Sequence, residues 1–586
     1  MQGRGGSSPN PAAAAFLLVI DRQAGFGVRS LPLVAAGPVE LGFDGHHELD
    51  WASRDGGIRL LCWSEAPGAW DTQEDNVAFV AGDVRRRGAP GRAGVAAVGS
   101  LVDVVANRNE LRGVFASVVV TADGDGLAFT DPIGHRCLYT AADDRFTVLS
   151  SRASLVALAM AQGRTPARDG LGMCWLAFTT YRVGERSGFE GVRVLRPGTA
   201  LRLTRGRAAW EHTDPFVVAP DDDMRALSVA QLAEVLLDDL ADSLGSLLAG
   251  PERRHVLSLT GGKDSRVVLA AALRADLAQD LVYETVGPPE LADVQIATEL
   301  TKMFDLRHDV RFLDMQVVEP FGDRFRRFVQ LTGGMVSGWD LQASVPTDDL
   351  RLTGICGELL RSCQKLPESA RAPGGLWDAF GPARLGRLGL VRPEVAEMLG
   401  AELRDHLDRE PSPEADPLDR AQAHFAGSRM RFTRLGAREE LSGGRVHPLY
   451  SPLALRAALS LDSSIRQSEV LVAAMLQQAS APLLHHRFTD AGWDATARAS
   501  LGLPEGHAPA RPTTRKAEPL MASLFGARTD ERSALLSEIF ADASNPIWDW
   551  LHRPVALEAT ERYAELRTPE RQELFGAATG AVWMSG

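Results

Sequence analysis

The chain has 586 residues, of which 45% are hydrophobic and 24% charged, values that are typical of globular proteins. This length exceeds that of one typical domain. The formal net charge of −13 at pH 7 argues against a sequence-independent nucleic-acid-binding protein, which normally presents a basic face, so we expect no nucleic acid partner.

The cysteines and the apolar runs indicate a cytoplasmic protein. No CxxC pair or zinc-ligand spacing occurs, which predicts reduced thiols. No apolar run is long enough to span a bilayer, so no membrane partner is expected. Residues 1–15 are rich in Gly, Ser, Pro and Ala and predict a disordered leader. The five cysteines are Cys62, Cys137, Cys174, Cys356 and Cys363.

Short strand-like runs separated by Gly, Asp and Pro characterise residues 16–216. Such runs predict a layered, β-rich domain. Residues 217–224 predict a linker that ends in an acidic helix start. The runs lie at 16–20, 94–98, 114–120 and 127–130.

Strands and helices alternate in the second predicted domain, residues 225–586. Apolar residues at helical spacing over 227–248 predict its first helix. The alternation predicts a parallel, doubly wound sheet that binds ligands at the carboxyl ends of its strands. The C-terminal stretch predicts helices that serve packing. The predicted strands are 281–287, 308–313 and 350–355, and the predicted helices are 290–304 and 321–331.

A glycine pair marks the most informative stretch, residues 258–266, between an apolar strand-like run and an apolar helix-like run. Glycines let the main chain approach an anion, and the first turn of a helix points free N–H groups at it. Lys263 can add a cation, Asp264 a magnesium ligand, and Ser265 a helix cap or phosphate donor. The spacing is not the Walker pattern. The alternative is an ordinary strand-to-helix turn.

Lysine is rare in this chain, since only Lys263, Lys302, Lys365 and Lys516 occur among 63 basic residues. Where arginine serves nearly every surface role, a retained lysine more often needs its compact ammonium group. This favours functional roles for Lys263 and Lys516.

These features resemble the asparagine synthetase superfamily. Residues 258–266 are similar to the pyrophosphate loop of enzymes that split ATP between its α and β phosphates, with Thr260 in place of a serine. Residues 111–116, 131–139 and 192–198 resemble three motifs of the glutaminase domain of asparagine synthetases. The resemblance implies an N-terminal Ntn-type αββα layered domain and then an ATP-pyrophosphatase domain with a helical C-terminal part.

The resemblance also implies the site. Residues 352–361 resemble the family's second glycine-rich turn, although this chain is one residue shorter there and lacks the aspartate beside Glu358. Asp264 and Glu358 are the implied magnesium ligands, Glu440 and Tyr450 the implied general base pair, and Lys516 the residue that stabilises the adenylate. The implied ATP and pyrophosphate contacts are Ser258, Thr260, Gly261, Gly262, Lys263, Asp264, Ser265, Arg266, Val286, Gly287, Thr353, Gly354 and Gly357.

The first domain departs from the family at the glutaminase site. That chemistry uses a cysteine at the mature N-terminus, whereas Met1 is followed here by Gln2 and the first cysteine is Cys62. The expected Asn-Gly-Glu stretch is replaced by residues 98–103. The first domain should therefore keep its fold and not hydrolyse glutamine.

Together these features predict an ATP- and magnesium-dependent, AMP-forming synthetase that joins a substrate carboxylate to a substrate amine. A peptide macrolactam synthetase of the lasso type is the first choice, served by a leader-binding protein and a leader peptidase. A β-lactam-type synthetase or an intermolecular amide ligase is the alternative. Two other classes stay open: a tRNA sulfur-transferring enzyme that would use Cys356 or Cys363, and a catalytically inactive scaffold.

Overall fold

A computed structural model describes residues 14–23, 47–65, 67–73, 75–89, 93–213, 222–249, 254–311, 319–341, 349–362, 366–372, 374–380, 385–409, 415–433, 445–489, 492–503 and 528–585. Glu440, Lys516 and Cys363 lie outside these residues, as do most of the predicted leader and most of the predicted linker.

In the first part of the chain, the described residues form two antiparallel sheets of six strands each. The strand Ala14–Asp21 begins two residues before the predicted run and is buried along its whole length. Because successive side chains point to opposite faces of a strand, Phe16 and Leu18 face the second sheet, whereas Leu17 and Val19 pack towards helices. A strand that is covered on both faces has a nearly continuous run of apolar residues in its sequence.

Helices cover the outer faces of both sheets. Ala153–Ala161 and Gly170–Phe178 pack on the first sheet. Val95–Val98 and Leu101–Asn107 pack on the second. This arrangement of helix, sheet, sheet and helix confirms the predicted layered architecture. In order, the strands of the first sheet are Arg193–Val194, Tyr139–Ala142, Phe146–Ser150, Ala14–Asp21, Ile58–Ser64 and His47–Ala52, and those of the second are Arg207–His212, Thr199–Thr204, Gly126–Thr130, Phe115–Val120, Asn76–Gly82 and Trp70–Gln73. Arg85–Arg86 and Leu111–Arg112 form a separate two-stranded ladder.

One predicted strand is wrong. The run 94–98 forms the helix Val95–Val98, in which Ala97 and Val98 are buried. A short apolar run does not distinguish a strand from a buried helical turn, because either one contains too few residues to show the periodic spacing of its apolar side chains.

A parallel sheet follows, as predicted, and the described residues supply five strands to it. Its order is His308–Arg311, Val282–Val286, His255–Ser258, Leu350–Leu352 and Arg445–Val446, and every neighbouring pair is parallel. The first strand of this sheet in sequence, His255–Ser258, is the central one. The next two strands in sequence lie on one side of it, and the last two lie on the other side. The strand order therefore reverses between His255–Ser258 and Leu350–Leu352, which is the point where open α/β sheets form a ligand crevice.

The largest hydrophobic core joins the two predicted domains. Trp175 of the first domain and Phe325 and Trp583 of the second belong to one buried cluster. The C-terminal helix Thr568–Ser585 thus packs against the first domain, in accord with the packing role predicted for it. Among the described helices, none combines the length and the apolar character needed to cross a bilayer.

The remaining described α-helices are Asp222–Arg225, Val229–Leu248, Lys263–Arg274, Ala292–Met303, Phe321–Leu331, Gly375–Phe380, Pro393–Arg409, Pro417–His424, Arg431–Thr433, Pro452–Ser460, Ser463–Gln467, Val470–Ala479, Ala481–His485, Ala495–Leu501, Thr529–Ala541, Arg553–Glu561 and Thr568–Ser585. Phe425–Met430 is a π-helical segment. Short 3-10 turns lie at Arg108–Glu110, Ala278–Asp280, Gly338–Asp340, Gly357–Leu359, Glu368–Arg371 and Pro546–Asp549.

Candidate functional site

The glycine-pair loop lies at the carboxyl end of the central strand His255–Ser258 and leads into the helix Lys263–Arg274. Two hydroxyl groups hold its shape. The Thr260 N–H donates to Ser265 Oγ at 3.1 Å, and the Gly262 N–H donates to Thr260 Oγ1 at 3.2 Å. The strand, loop and helix are therefore arranged as the sequence predicts.

Gly261 lies close to Thr489, which is more than 220 residues further along the chain. Its N–H donates to Asp293 Oδ1 at 3.0 Å, and the hydroxyl of Thr489 donates to the same oxygen at 2.6 Å. A Cβ at position 261 would lie 2.0 Å from Thr489 Oγ1, so only glycine permits this approach. Asp293 and Thr489 are site residues that the predicted site did not include.

The second glycine-rich turn packs directly on the loop. A Cβ at Gly354 would lie 2.5 Å from the main-chain nitrogen of Ser265, and one at Gly357 would lie 2.3 Å from Cγ of Asp264. Thr353 anchors this turn to the neighbouring strand, since its hydroxyl lies 2.7 Å from Nδ1 of His447. The fold thus brings together the two segments that the sequence assigned to one site.

Four charged side chains, two of them buried and two partly exposed, form a network beside the loop. Nε and Nη2 of Arg361 donate to the two carboxylate oxygens of Asp264 at 3.1 and 2.9 Å, and its Nη1 donates to Glu469 at 3.4 Å. Lys263 donates to the other oxygen of Glu469. Burial lowers the pKa of Arg361, but the hydrogen bonds and charge of Asp264, with the charges of Glu469 and Glu358, outweigh burial and raise it. Arg361 and Glu469 had no predicted role.

The predicted magnesium pair does not fit this arrangement. Both carboxylate oxygens of Asp264 are bonded by the Arg361 guanidinium. Glu358 lies on the 3-10 turn Gly357–Leu359, close enough for its charge to raise the pKa of Arg361. Among the described residues, no group of three or more His, Cys, Asp or Glu side chains could hold a metal ion. A divalent cation at Asp264 would have to displace a guanidinium that already neutralises that carboxylate.

Arg266 has a positioning role in place of the predicted pyrophosphate contact. It is fully buried, and its guanidinium donates to the main-chain carbonyls of Gly261, Leu483, His486 and Arg487 at 2.8–3.2 Å. Burial lowers its pKa to about 9. The side chain thus ties the segment after Leu483 to the loop.

Lys263 is also largely buried, with 7% of its side chain exposed. Besides its ion pair with Glu469, its ammonium lies 4.7 Å from the ring centroid of Trp493. Such a position stabilises a cation through the ring quadrupole. In this structure the predicted phosphate cation is therefore held by protein groups.

The remaining predicted nucleotide contacts lie at strand ends. Ser258 closes the central strand, and Val286 closes the strand Val282–Val286. The Gly287 N–H donates to the carbonyl of Arg311 at 3.0 Å, which extends the parallel ladder by one residue. These positions share the edge of the sheet at which the loop lies.

The structure speaks against Tyr450 as a general base. Its buried hydroxyl donates to Asp131 and accepts from the Ile133 N–H at 3.0 Å. The ring of His135 packs on it with centroids 4.7 Å apart. Burial raises the pKa of Tyr450 well above its ordinary value. The tyrosine therefore joins the two predicted domains, and its predicted partner Glu440 lies outside the described residues, as does Lys516.

Three solved structures that match the chain have low sequence identity and low TM-scores. No protein-family model and no curated protein matches the chain. A glutamine phosphoribosylpyrophosphate amidotransferase from B. subtilis, complexed with ADP and GMP, is 9% identical over 58% of this chain and 81% of its own, with a TM-score of 0.20. An allosteric regulatory enzyme of purine biosynthesis is 8% identical over 50% and 80%, with a TM-score of 0.21. An NMN synthetase from Francisella tularensis is 17% identical over 34% and 93%, with a TM-score of 0.15. At these TM-scores the likenesses carry no argument about function.

Proposed function

We propose that this protein is an ATP-dependent synthetase that forms amide bonds by adenylating a substrate carboxylate. The observation that carries this proposal is the meeting of two glycine-rich segments, Thr260–Ser265 and Thr353–Gly357, at the carboxyl ends of two adjacent parallel strands. The strand order reverses between these strands, and ligands of open α/β sheets bind at such points.

In the proposed reaction, a carboxylate oxygen of the substrate attacks the α-phosphorus of ATP, and pyrophosphate leaves with the electron pair of the broken P–O bond. An amine nitrogen then attacks the acyl carbon, AMP leaves, and the amine proton passes to a base. The loop backbone and Lys263 would hold pyrophosphate, and the main chain at Val286 and Gly287 would contact adenine. Glu440 remains the proposed base and Lys516 the proposed cation at the adenylate.

The amine is proposed to belong to the substrate. The four described cysteines are buried, and burial raises the pKa of Cys62 well above its ordinary value, which does not suit a glutaminase nucleophile. Burial also makes Cys356 a poor persulfide carrier for the sulfur-transfer alternative. Closure of a peptide macrolactam in the cytoplasm, with a leader-binding protein and a leader peptidase as partners, is the first choice. A β-lactam-type or intermolecular ligase is the second.

A pyrophosphate-release assay tests the proposal. The full-length protein would be incubated with ATP and pools of peptides and small molecules that carry both a carboxylate and an amine. We expect AMP and pyrophosphate in equal amounts, and a product lighter than its precursors by one water molecule. Formation of ADP and phosphate would contradict the proposal.

One observation favours a catalytically inactive scaffold as a second candidate. Asp264 and Lys263 are both engaged by protein groups, Arg361 and Glu469. A site that has lost its substrate could retain such pairs for stability. Failure of the protein to bind ATP or pyrophosphate under any condition would support the scaffold.

A further inference from the structure

The carboxylate of Asp264 is paired with Arg361, whereas the sequence predicts that it binds a magnesium ion. The side chains of Asp264 and Arg361 are 21% and 22% exposed, and those of Lys263 and Glu469 are 7% and 5% exposed. Two carboxylates and two cations thus balance each other in a largely buried site. Removal of one member would leave an uncompensated charge, which is costly away from water.

The second turn leaves no room for a side chain at position 357, next to Asp264. A Cβ at position 357 would lie 2.3, 2.4 and 2.5 Å from Cγ, Oδ1 and Cβ of Asp264, closer than real Cβ atoms come. Position 357 directly precedes Glu358, where the family's aspartate is absent. The turn that lacks this aspartate also carries Arg361, four residues after Gly357, and Arg361 reaches the same carboxylate.

We propose that Arg361 is the resident cation of this loop and that the loop binds a pyrophosphate or triphosphate group without a divalent cation ligated by Asp264. This inference rests on the proposed function, because it concerns the same ATP site. Arg361 then takes the place of the metal ion that Asp264 and Glu358 are predicted to bind. Asp264 then orients the guanidinium instead of coordinating a metal.

The geometry of the guanidinium suits this role. Among the described residues, its bonds to Asp264 and Glu469 use three of the five N–H donors that a guanidinium carries. Planar guanidinium groups pair with phosphate through two parallel hydrogen bonds, and they do not lose their charge. The carboxylate of Asp264 fixes the plane of this group in advance.

Binding of inorganic pyrophosphate and of ATP to the full-length protein, measured by titration calorimetry in EDTA and in magnesium, tests the inference. We expect wild-type affinities in the two media to agree within about threefold. Arg361→Ala should weaken pyrophosphate binding in EDTA by about tenfold or more, because a charged hydrogen-bond donor is lost. Asp264→Asn should still bind pyrophosphate in EDTA, because its amide oxygen can accept a hydrogen bond from Arg361 and keep the guanidinium in place, whereas the negative charge that competes with phosphate is removed.

The matched control is Arg274→Ala. Arg274 ends the helix Lys263–Arg274, whose first turn carries Asp264, and it pairs with Asp238 away from the loop. This control should bind pyrophosphate like wild type. If Arg361→Ala does not fold, Arg361→Lys retains the charge without the planar fork and should show an intermediate loss. Binding that requires magnesium, is lost in Asp264→Asn and survives in Arg361→Ala would overturn the inference and leave ATP use intact. Absence of binding in both media would overturn the proposed function and, with it, this inference.

Discussion

Replacing Gly357 with alanine should break the contact between the second turn and the loop. The added methyl group would lie 2.3 Å from Cγ of Asp264, so the carboxylate must move by about 1 Å to reach an ordinary contact distance. Overpacking of this kind costs about 1–3 kcal/mol. The displaced Asp264 would also lose its aligned bonds to Arg361, and for a pair that is about one-fifth exposed we add about 0.5–1 kcal/mol. We therefore expect a total loss of about 1.5–4 kcal/mol in the free energy of unfolding.

Urea unfolding followed by tryptophan fluorescence measures this loss, because Trp493 lies 4.7 Å from the ammonium of Lys263 in the same network. The control is Gly245→Ala, in the helix Val229–Leu248, where no atom of the described residues outside the adjoining helix backbone lies within 4 Å of the added Cβ. Since alanine favours a helix over glycine, this variant should gain about 0.5–1 kcal/mol. If Gly357→Ala stays within about 0.5 kcal/mol of wild type, Asp264 is not held as described and the reasoning fails.

Three further changes have distinct signatures. Tyr450→Phe should lower the free energy of unfolding by about 1–3 kcal/mol, because Asp131 and the Ile133 N–H lose a buried partner; lost turnover at unchanged stability would instead restore Tyr450 as a base. Burial raises the pKa of Glu573 to about 7, so the folded protein keeps a proton that the unfolded chain releases. The free energy of unfolding should therefore fall by on the order of 3 kcal/mol as pH rises from about 4.5 to about 7. Glu573→Gln should remove that part of the pH dependence in urea titrations, and an unchanged slope would refute the shift. Lys516→Ala should leave ATP binding nearly intact and abolish turnover in the pyrophosphate assay; unchanged turnover would refute its role.

The local pattern predicts most of the parallel sheet correctly. The helix Phe321–Leu331 has the predicted bounds, and the strands Val282–Val286 and His308–Arg311 lie within the predicted runs. Long periodic segments are predicted well because their period repeats over several turns. The run 94–98 is predicted wrongly because four helical residues contain one turn, which has no period to recognise.

The roles of charged and polar side chains are harder to predict from the local sequence than helices and strands are. Arg266 lies in the first turns of the helix after the glycine pair, which suggests a phosphate contact, yet the fold buries it against the main-chain carbonyls of Leu483 and Arg487. Tyr450 is predicted as part of a general base pair, yet its hydroxyl donates a hydrogen bond to Asp131, 319 residues away in the chain. A residue type indicates what a side chain can do, whereas its partners depend on which distant segments the fold brings near.

The sequence by itself determined that a strand, a glycine pair and a helix form an anion-binding type of loop, because φ freedom, helix caps and hydrophobic period are local properties. It also showed that the aspartate beside Glu358 is missing. Only the tertiary structure decided what replaces it, since Asp264 and Arg361 are 97 residues apart and Lys263 and Glu469 are 206 apart. Charge pairing over such separations depends on the strand order, which places the turn after Leu350–Leu352 beside the loop after His255–Ser258.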